Sequence, residues 1–187
     1  VTIATSIPGC IWHIQYLTLK KYGGYDLKYV PYPGSHPSQV ACLAGEVDVV
    51  WTGLGEQAEY LKAGQLRPLA VYDTKPLEFA GMTIPPITDF VPELAKVMPI
   101  KQFVGFALPA DTPKEILDKI TEAFKKAMKE KPVLDYGKNR YSELYGYYGE
   151  KAKQFAMKEQ SLFTWLLWEE GIAKISPEKF NIPKPEF

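Results

Sequence analysis

The sequence lacks long apolar runs, an excess of charge of either sign, and more than two cysteines. No run reaches 18 apolar residues, so no membrane-spanning helix is predicted. The 22 Lys and Arg balance the 22 Asp and Glu, which leaves a formal net charge of zero. A nucleic-acid-binding protein needs a basic face that neutralises phosphates, so this balance argues against that class of partner.

Cysteine and histidine are too sparse for a conventional metal site. Cys10 and Cys42 are the only cysteines, and the sequence contains neither a CxxC motif nor a Cys/His cluster. We therefore expect no metal and no cofactor. Two cysteines are too few to indicate the redox compartment of the protein. The sequence also does not show whether they form a disulfide with each other. With 46% hydrophobic and 24% charged residues, the composition is that of a globular protein and excludes collagenous and disordered chains.

The sequence begins directly with a strand-like segment at Val1, without Met and without a secretory leader. We therefore expect a mature or trimmed fragment whose N-terminal part is missing.

Short β-like runs alternate with helix-like runs in the first 72 residues. The predicted strands are Val1–Ala4, Leu27–Val30, Val47–Trp51 and Leu69–Tyr72, and the predicted helices are Cys10–Tyr22, Ser35–Ala44 and Glu56–Ala63. Glycines follow the helices and β-branched residues fill the strands, as their conformational preferences require. This alternation predicts an α/β fold with a parallel-rich sheet flanked by helices.

The second half contains too few strands for a sheet of its own. Residues 73–99 are predicted to be irregular, with a short helix near Thr88–Lys96, and they are followed by a strand over Gln102–Leu108. Helices are predicted from Pro113 to Lys131 and over Tyr148–Gly171, with an extended tail from Ser176. The single strand either joins the first sheet or belongs to a sheet whose other strands lie in the missing part.

Three turns combine small hydroxyl residues with glycine at the ends of predicted parallel strands. They are Thr5–Cys10, Tyr32–Ser35 and Trp51–Gly53. The carboxyl ends of parallel strands share one sheet edge, and the helices that follow present free N–H groups there. Such an edge suits a carboxylate or phosphate. The alternative is that these residues only cap helices and form turns.

Two residues near the first turn raise the question of catalysis. Cys10 begins a helix, where a thiol pKa can fall, and His13 lies in the first helical turn. No partner group for either residue is evident from the sequence, so we predict a binding protein rather than an enzyme. An enzyme that uses Cys10 or His13 as nucleophile or base is the weaker alternative.

Several segments, in order along the chain, resemble one known family. They are Val30–Ser35 (VPYPGS) followed by Gly45–Asp48 (GEVD), then Ala63–Val71 (AGQLRPLAV) and Phe103–Pro113 (FVGFALPADTP). The sequence is similar to the periplasmic solute-binding proteins of tripartite tricarboxylate transporters, the Bug receptors. This resemblance implies a type II periplasmic-binding-protein fold with two lobes. Residues 1–98 would form the second lobe, and residues 99–187 would return to the first.

The resemblance also implies where a ligand binds. Family members hold a small carboxylate largely with backbone N–H groups and hydroxyls, which here assigns ligand contacts to Thr5, Ser6, Gly9, Cys10, His13, Tyr32, Gly34, Ser35, Thr52 and Gly53. Ile7 and Cys10 stand where the family's loop has glycine and serine, and Pro8 removes an N–H donor. Thr52-Gly53 replaces the family's Asp-Asn, so a plain carboxylate is expected rather than an amino acid.

The resemblance implies an extracytoplasmic receptor that captures a small di- or tricarboxylate and delivers it to a membrane permease. A ligand-sensing domain of a regulatory or signalling protein is the alternative with the same fold. If the first-lobe segment is absent, a homodimer through the exposed seam is also predicted.

Overall fold

The computed structural model describes residues 1–186 and contains five strands and six α-helices in that part of the chain. In chain order the elements are β1 (Thr2–Thr5), α1 (Ile11–Gly23), β2 (Lys28–Pro31), α2 (Ser35–Leu43), β3 (Val49–Val50), α3 (Leu54–Lys62), β4 (Leu77–Phe79), β5 (Met82–Ile84), α4 (Lys114–Ala127), α5 (Lys131–Asn139) and α6 (Gly149–Glu169).

The first three strands form a parallel sheet in the order β2-β1-β3. Ile3 of β1 lies opposite Tyr29 on one side and Val49 on the other. The central position of β1 explains why Ile3 and Ala4 are fully buried. The predicted βα alternation and parallel pairing are therefore confirmed for these elements.

Helix α1 supplies much of the core beside this sheet. Its apolar residues pack in one cluster with Ile3, Leu94, Ile100 and Leu166. The helix ends at Gly24, whose left-handed conformation (φ 73°) lets its N–H bond to the carbonyls of the last turn. The position of α1 in the core fixes where its N-terminus lies.

The predicted fourth strand, Leu69–Tyr72, is wrong. Val71 forms only an isolated parallel bridge with Pro86. Pro85 and Pro86 lack N–H groups, so a longer ladder cannot form there. The region that the sequence suggested to be irregular contains instead the antiparallel hairpin β4–β5, which turns at Ala80 and Gly81 with φ of 49° and 80°.

The second half also differs from its prediction. The predicted strand Gln102–Leu108 has no strand partner among the described residues. The helix predicted from Pro113 to Lys131 corresponds to α4, which ends earlier, at Ala127. The unpredicted helix α5 begins at Lys131, because Pro132 fits the first turn of a new helix but not the interior of a continuing one. The short helix near Thr88–Lys96 is two 3-10 segments, and the tail contains a further 3-10 turn.

The described chain divides into two compact units. The sheet unit contains Val1–Lys101 and the residues from Gln160 onward, and the helical unit contains Gln102–Glu159. The C-terminal residues thus group with the first hundred, whereas the predicted boundary lies at residue 98. The assignment of residues to a first and a second lobe stays a prediction.

Candidate functional site

The sheet unit brings three βα turns to one edge of its sheet. Because β1, β2 and β3 are parallel, their carboxyl ends at Thr5, Pro31 and Val50 face the same way. Helices α1, α2 and α3 begin a few residues beyond these ends. This edge contains all ten predicted ligand residues, and their individual geometry separates those that can meet a ligand from those that hold the turns.

In the β1–α1 turn, Thr5 has a structural role. Its side chain is fully buried, and its hydroxyl lies 3.1 Å from both the Ser6 carbonyl oxygen and the Tyr29 hydroxyl. Ser6 is only partly buried, and its own hydroxyl forms no hydrogen bond within residues 1–186. Ser6 is therefore the hydroxyl of this turn that is available to a ligand.

His13 holds the same turn from the helix. Its Nδ1 accepts a hydrogen bond from the Gly9 amide at 2.9 Å, and its ring stacks on Tyr29 with centroids 4.3 Å apart. Burial lowers the pKa of His13, against the opposing charge of Glu170. Because Nδ1 accepts this hydrogen bond, the ring is a neutral imidazole with its proton on Nε2. The Gly9 amide is engaged in the same bond and is not available to a ligand. His13 and Gly9 thus shape the turn, which leaves no role for His13 as a base through Nδ1.

The N-terminus of α1 is open. Cys10 occupies the N-cap position without a side-chain capping bond, and the first turn contains no acidic residue. The amides of Ile11, Trp12 and His13 donate to no acceptor in the described chain. Both cysteine thiols are free, so Cys10 and Cys42 do not form a disulfide. Free amides and the positive end of the helix dipole favour an anion here.

The β2–α2 turn also leaves its helix open. Gly34 at the N-cap has φ 138°, a conformation that side chains strain to adopt. No acidic residue lies in the first turn of α2, and the Ser35 hydroxyl is unbonded within the described residues. The Tyr32 hydroxyl donates instead to Glu46 Oε2 at 3.4 Å. Ser35 and the α2 amides are therefore better placed for a ligand than the Tyr32 hydroxyl.

The β3–α3 turn is closed by its own residues. The Gly53 amide donates to Glu56 Oε2 at 2.8 Å, so a carboxylate already occupies the N-terminus of α3. Thr52 is buried and its hydroxyl accepts from Gln39 Nε2 at 2.9 Å. A carboxylate ligand would meet the repulsion of Glu56 here. The predicted contacts of Thr52 and Gly53 are consequently the least supported of the ten by this geometry.

Three residues that stabilise this edge were not predicted as site residues from the sequence. Tyr29 bonds to Thr5 and stacks on His13, and Gln39 holds Thr52. Trp12 lies beside the third turn, since a Cβ on Gly53 would fall 3.2 Å from its ring. Only Trp12 had a signal in the sequence, as an aromatic residue in the first turn of a helix that begins at the predicted edge.

Residues 1–186 contain no group of three or more His, Cys, Asp or Glu side chains that could hold a metal ion. Among the helices formed by these residues, none combines the length and the apolar character needed to cross a bilayer.

Comparison with known proteins gives a family and two curated relatives. The sequence model of the tripartite tricarboxylate transporter family receptor (TctC) matches residues 4–164. A UPF0065 protein of Bordetella bronchiseptica is 35% identical over 102 residues, which cover 54% of this chain and 29% of that protein. A UPF0065 protein from the clcB-clcD intergenic region of Pseudomonas knackmussii is 26% identical over 134 residues, covering 67% and 75% respectively.

Solved structures show the same fold over nearly the whole chain. A periplasmic transporter matches with a TM-score of 0.69 and 22% identity, covering 94% of this chain. A TctC solute-binding protein from Polaromonas without ligand has a TM-score of 0.64 at 19% identity, and an R. palustris protein with adipate has 0.68 at 21%; they cover 90% and 92% of this chain. The chain spans 56–57% of the length of these three proteins. The α/β fold seen here thus corresponds to about half of theirs.

Proposed function

We propose that this chain, which belongs to the receptor family of the tripartite tricarboxylate transporters, forms the anion-binding edge of an extracytoplasmic solute receptor. The family match confirms the predicted resemblance, and a family of transporter receptors also agrees with the prediction of a non-catalytic protein. The receptor captures a small dicarboxylate or tricarboxylate and delivers it to a membrane permease.

One observation carries the proposal: helices α1 and α2, which follow the adjacent strands β1 and β2, begin uncapped and without acidic residues at the same sheet edge. Each offers free first-turn amides and an unbonded serine hydroxyl, Ser6 before α1 and Ser35 at the start of α2. Two such N-termini at one sheet edge direct hydrogen-bond donors and positive dipole ends toward an anion bound there.

The surroundings of this edge favour an organic acid over inorganic phosphate. Ile7 is 56% exposed in the β1–α1 turn, and Trp12 borders the third turn. These side chains suit the methylene groups of a ligand whose carboxylate lies at the helix N-termini. The R. palustris relative with adipate, a dicarboxylate with an aliphatic chain, supports this ligand class.

Binding would proceed with closure of the first lobe over the edge, which excludes water and strengthens the hydrogen bonds to the carboxylate. The predicted permease partner follows from the family alone. The predicted homodimer is a separate proposal that the ligand site does not require.

The test is isothermal titration calorimetry of the chain with succinate, adipate and citrate, using adipamide as a neutral control of matched length. We expect binding of at least one acid and none of adipamide. Ser6→Ala and Ser35→Ala should each weaken binding about fivefold, the value of one hydrogen bond near 1 kcal/mol. Ser142→Ala, which lies in the helical unit, is the matched control and should leave affinity unchanged. No heat from any acid, or equal binding of adipamide, would refute the proposal.

A further inference from the structure

The charged side chains at the candidate site are distributed unequally over its three turns. The turns Thr5–Cys10, Tyr32–Ser35 and Trp51–Gly53, together with the first turns of the helices that follow them, contain a single acidic residue, Glu56, and neither lysine nor arginine. Helices α1 and α2 thus begin without an acidic side chain, whereas α3 begins with one. The three turns therefore differ in what part of a ligand they can accept.

The Glu56 carboxylate is fixed at the third turn by the backbone of that turn. Its Oε2 accepts a hydrogen bond from the Gly53 amide at 2.8 Å. The residue itself is exposed, so a ligand that approaches this edge can come close to its negative charge. The hydrogen bond therefore determines where a negative charge stands beside the anion site.

Trp12, in the first turn of α1, brings the third turn into contact with that helix. A Cβ on Gly53 would lie 3.2 Å from Glu56 Oε2 and also 3.2 Å from Trp12 Cζ2, so the carboxylate and the six-membered part of the indole border the same glycine. The charge of Glu56 thus stands beside the helix turn whose amides are free. An indole suits methylene groups and a carboxylate repels an anion, so this corner favours an apolar part of the ligand.

The three strands set the spacing over which a ligand feels this charge. Ala4 of the central strand lies opposite Val30 on one side and Val50 on the other, so the strands end nearly level. Adjacent strands are about 4.8 Å apart. A short dicarboxylate can place its two groups at the first and second turns, but a third carboxylate on the same short chain would stay within roughly 10 Å of Glu56.

We propose that Glu56 is a specificity-determining residue that limits the ligand to two carboxylates, so that the site binds dicarboxylates in preference to tricarboxylates. This inference rests on the proposed function, because it requires that the edge binds an organic acid, and it narrows the class of that acid. The three turns offer no lysine or arginine that would offset the repulsion between Glu56 and a third carboxylate.

The alternative is that Glu56 serves only to cap α3. The two roles can be separated, because glutamine caps a helix with the same geometry as glutamate. Glu56→Gln therefore keeps the hydrogen-bonding group at the third turn and removes only its charge.

The experiment is isothermal titration calorimetry of the chain at pH 8 with glutarate and with tricarballylate, which is glutarate with a third carboxylate on its central carbon. We expect the parent to bind glutarate about fivefold more tightly, which corresponds to ~1 kcal/mol of charge repulsion. Glu56→Gln should raise the affinity for tricarballylate about fivefold and that for glutarate less than about twofold. Glu59→Gln removes the same charge further along α3 and is the matched control, which should keep the preference of the parent.

Salt distinguishes charge repulsion from steric fit. In 1 M NaCl the preference for glutarate should shrink in the parent and stay constant in Glu56→Gln. An equal preference in the parent and in Glu56→Gln, or tighter binding of tricarballylate by the parent, would overturn the role of Glu56 and leave the proposed receptor function intact. Absence of binding of both acids would refute that function and this role together.

Discussion

The sheet unit and the helical unit differ in how they use their apolar residues. All 19 buried apolar residues among residues 1–186 belong to the sheet unit, and Gln102–Glu159 contains none. The helical unit nevertheless has well-formed helices, and three of its aromatic side chains, Phe103, Tyr145 and Tyr147, are grouped around Phe155. The contrast teaches that the packing that stabilises the fold lies in the sheet unit, since helices of this length gain most of their stability from packing an apolar face.

The largest expected difference between the two units comes from replacing one leucine in each of them with alanine. Leu94 is completely buried, and Leu94→Ala should lower the free energy of unfolding by about 2–5 kcal/mol through lost burial and a new cavity. Leu117→Ala, at a residue 46% exposed in α4, should cost less than about 1 kcal/mol. Urea unfolding followed by circular dichroism measures both. Equal losses would show that the helical unit has a core after all.

Glu159 is the only buried charged side chain of the helical unit, and it makes stability depend on pH. Burial raises its pKa to about 7, against the opposing charge of Lys158, and its Oε2 has no hydrogen-bond partner in the described structure. The folded carboxyl holds its proton at a pH where the unfolded one has lost it. The stabilisation is therefore full below about pH 4.5 and is lost as the pH rises to 7.

We expect Glu159→Gln to remove this loss and to raise the free energy of unfolding at pH 8 by roughly 2 kcal/mol. Urea titrations at pH 5 and pH 8 measure the difference, and Glu93→Gln, an exposed glutamate of the sheet unit, is the control. A pH dependence that is the same in Glu159→Gln and in the parent would contradict the assignment.

The smallest expected effect concerns the exposed ion pairs of α4, a helix that has no buried residue. Lys119 lies 2.6 Å from Glu115 on the exposed face. Lys119→Ala should lower the free energy of unfolding of the helical unit by about 0.3 kcal/mol at low salt. In 1 M NaCl the variant and the parent should have the same free energy of unfolding. Thermal melts at 222 nm measure it, with Lys153→Ala as an unpaired control on α6. A larger loss that persists in salt would indicate packing by the Lys119 side chain.

Much of the sheet unit could be predicted because its signals are local. β-branched residues and glycines mark β1, α1, β2 and α2 to within one or two residues of their observed bounds. The hairpin β4–β5 was missed because its turn residues, Ala80 and Gly81, lie in a proline-rich stretch without the Asn-Gly signal of such turns. Residues Gln102–Leu108 were predicted as a strand because their side chains are typical of one, but strand pairing depends on residues elsewhere.

The edge of the sheet was predictable in its position and only partly in its chemistry. Parallel pairing follows from the βα order, so three turns had to share one edge. Contacts with residues distant in sequence decide which hydroxyls remain free. The Thr5 hydroxyl is hydrogen-bonded to Tyr29, and the Thr52 hydroxyl is hydrogen-bonded to Gln39. The capping role of Glu56 was accessible, since its spacing from Gly53 is that of a capping pair.

The hydrogen bond from the Gly9 amide to His13 Nδ1 makes the shape of the β1–α1 turn depend on the protonation state of His13. An imidazolium cannot accept a hydrogen bond, so acidification that protonates this ring would release the amide and add a positive charge beside the α1 amides. Both changes favour an incoming anion. Because burial lowers the pKa of His13, the ring stays neutral near pH 7 and the turn keeps its shape there.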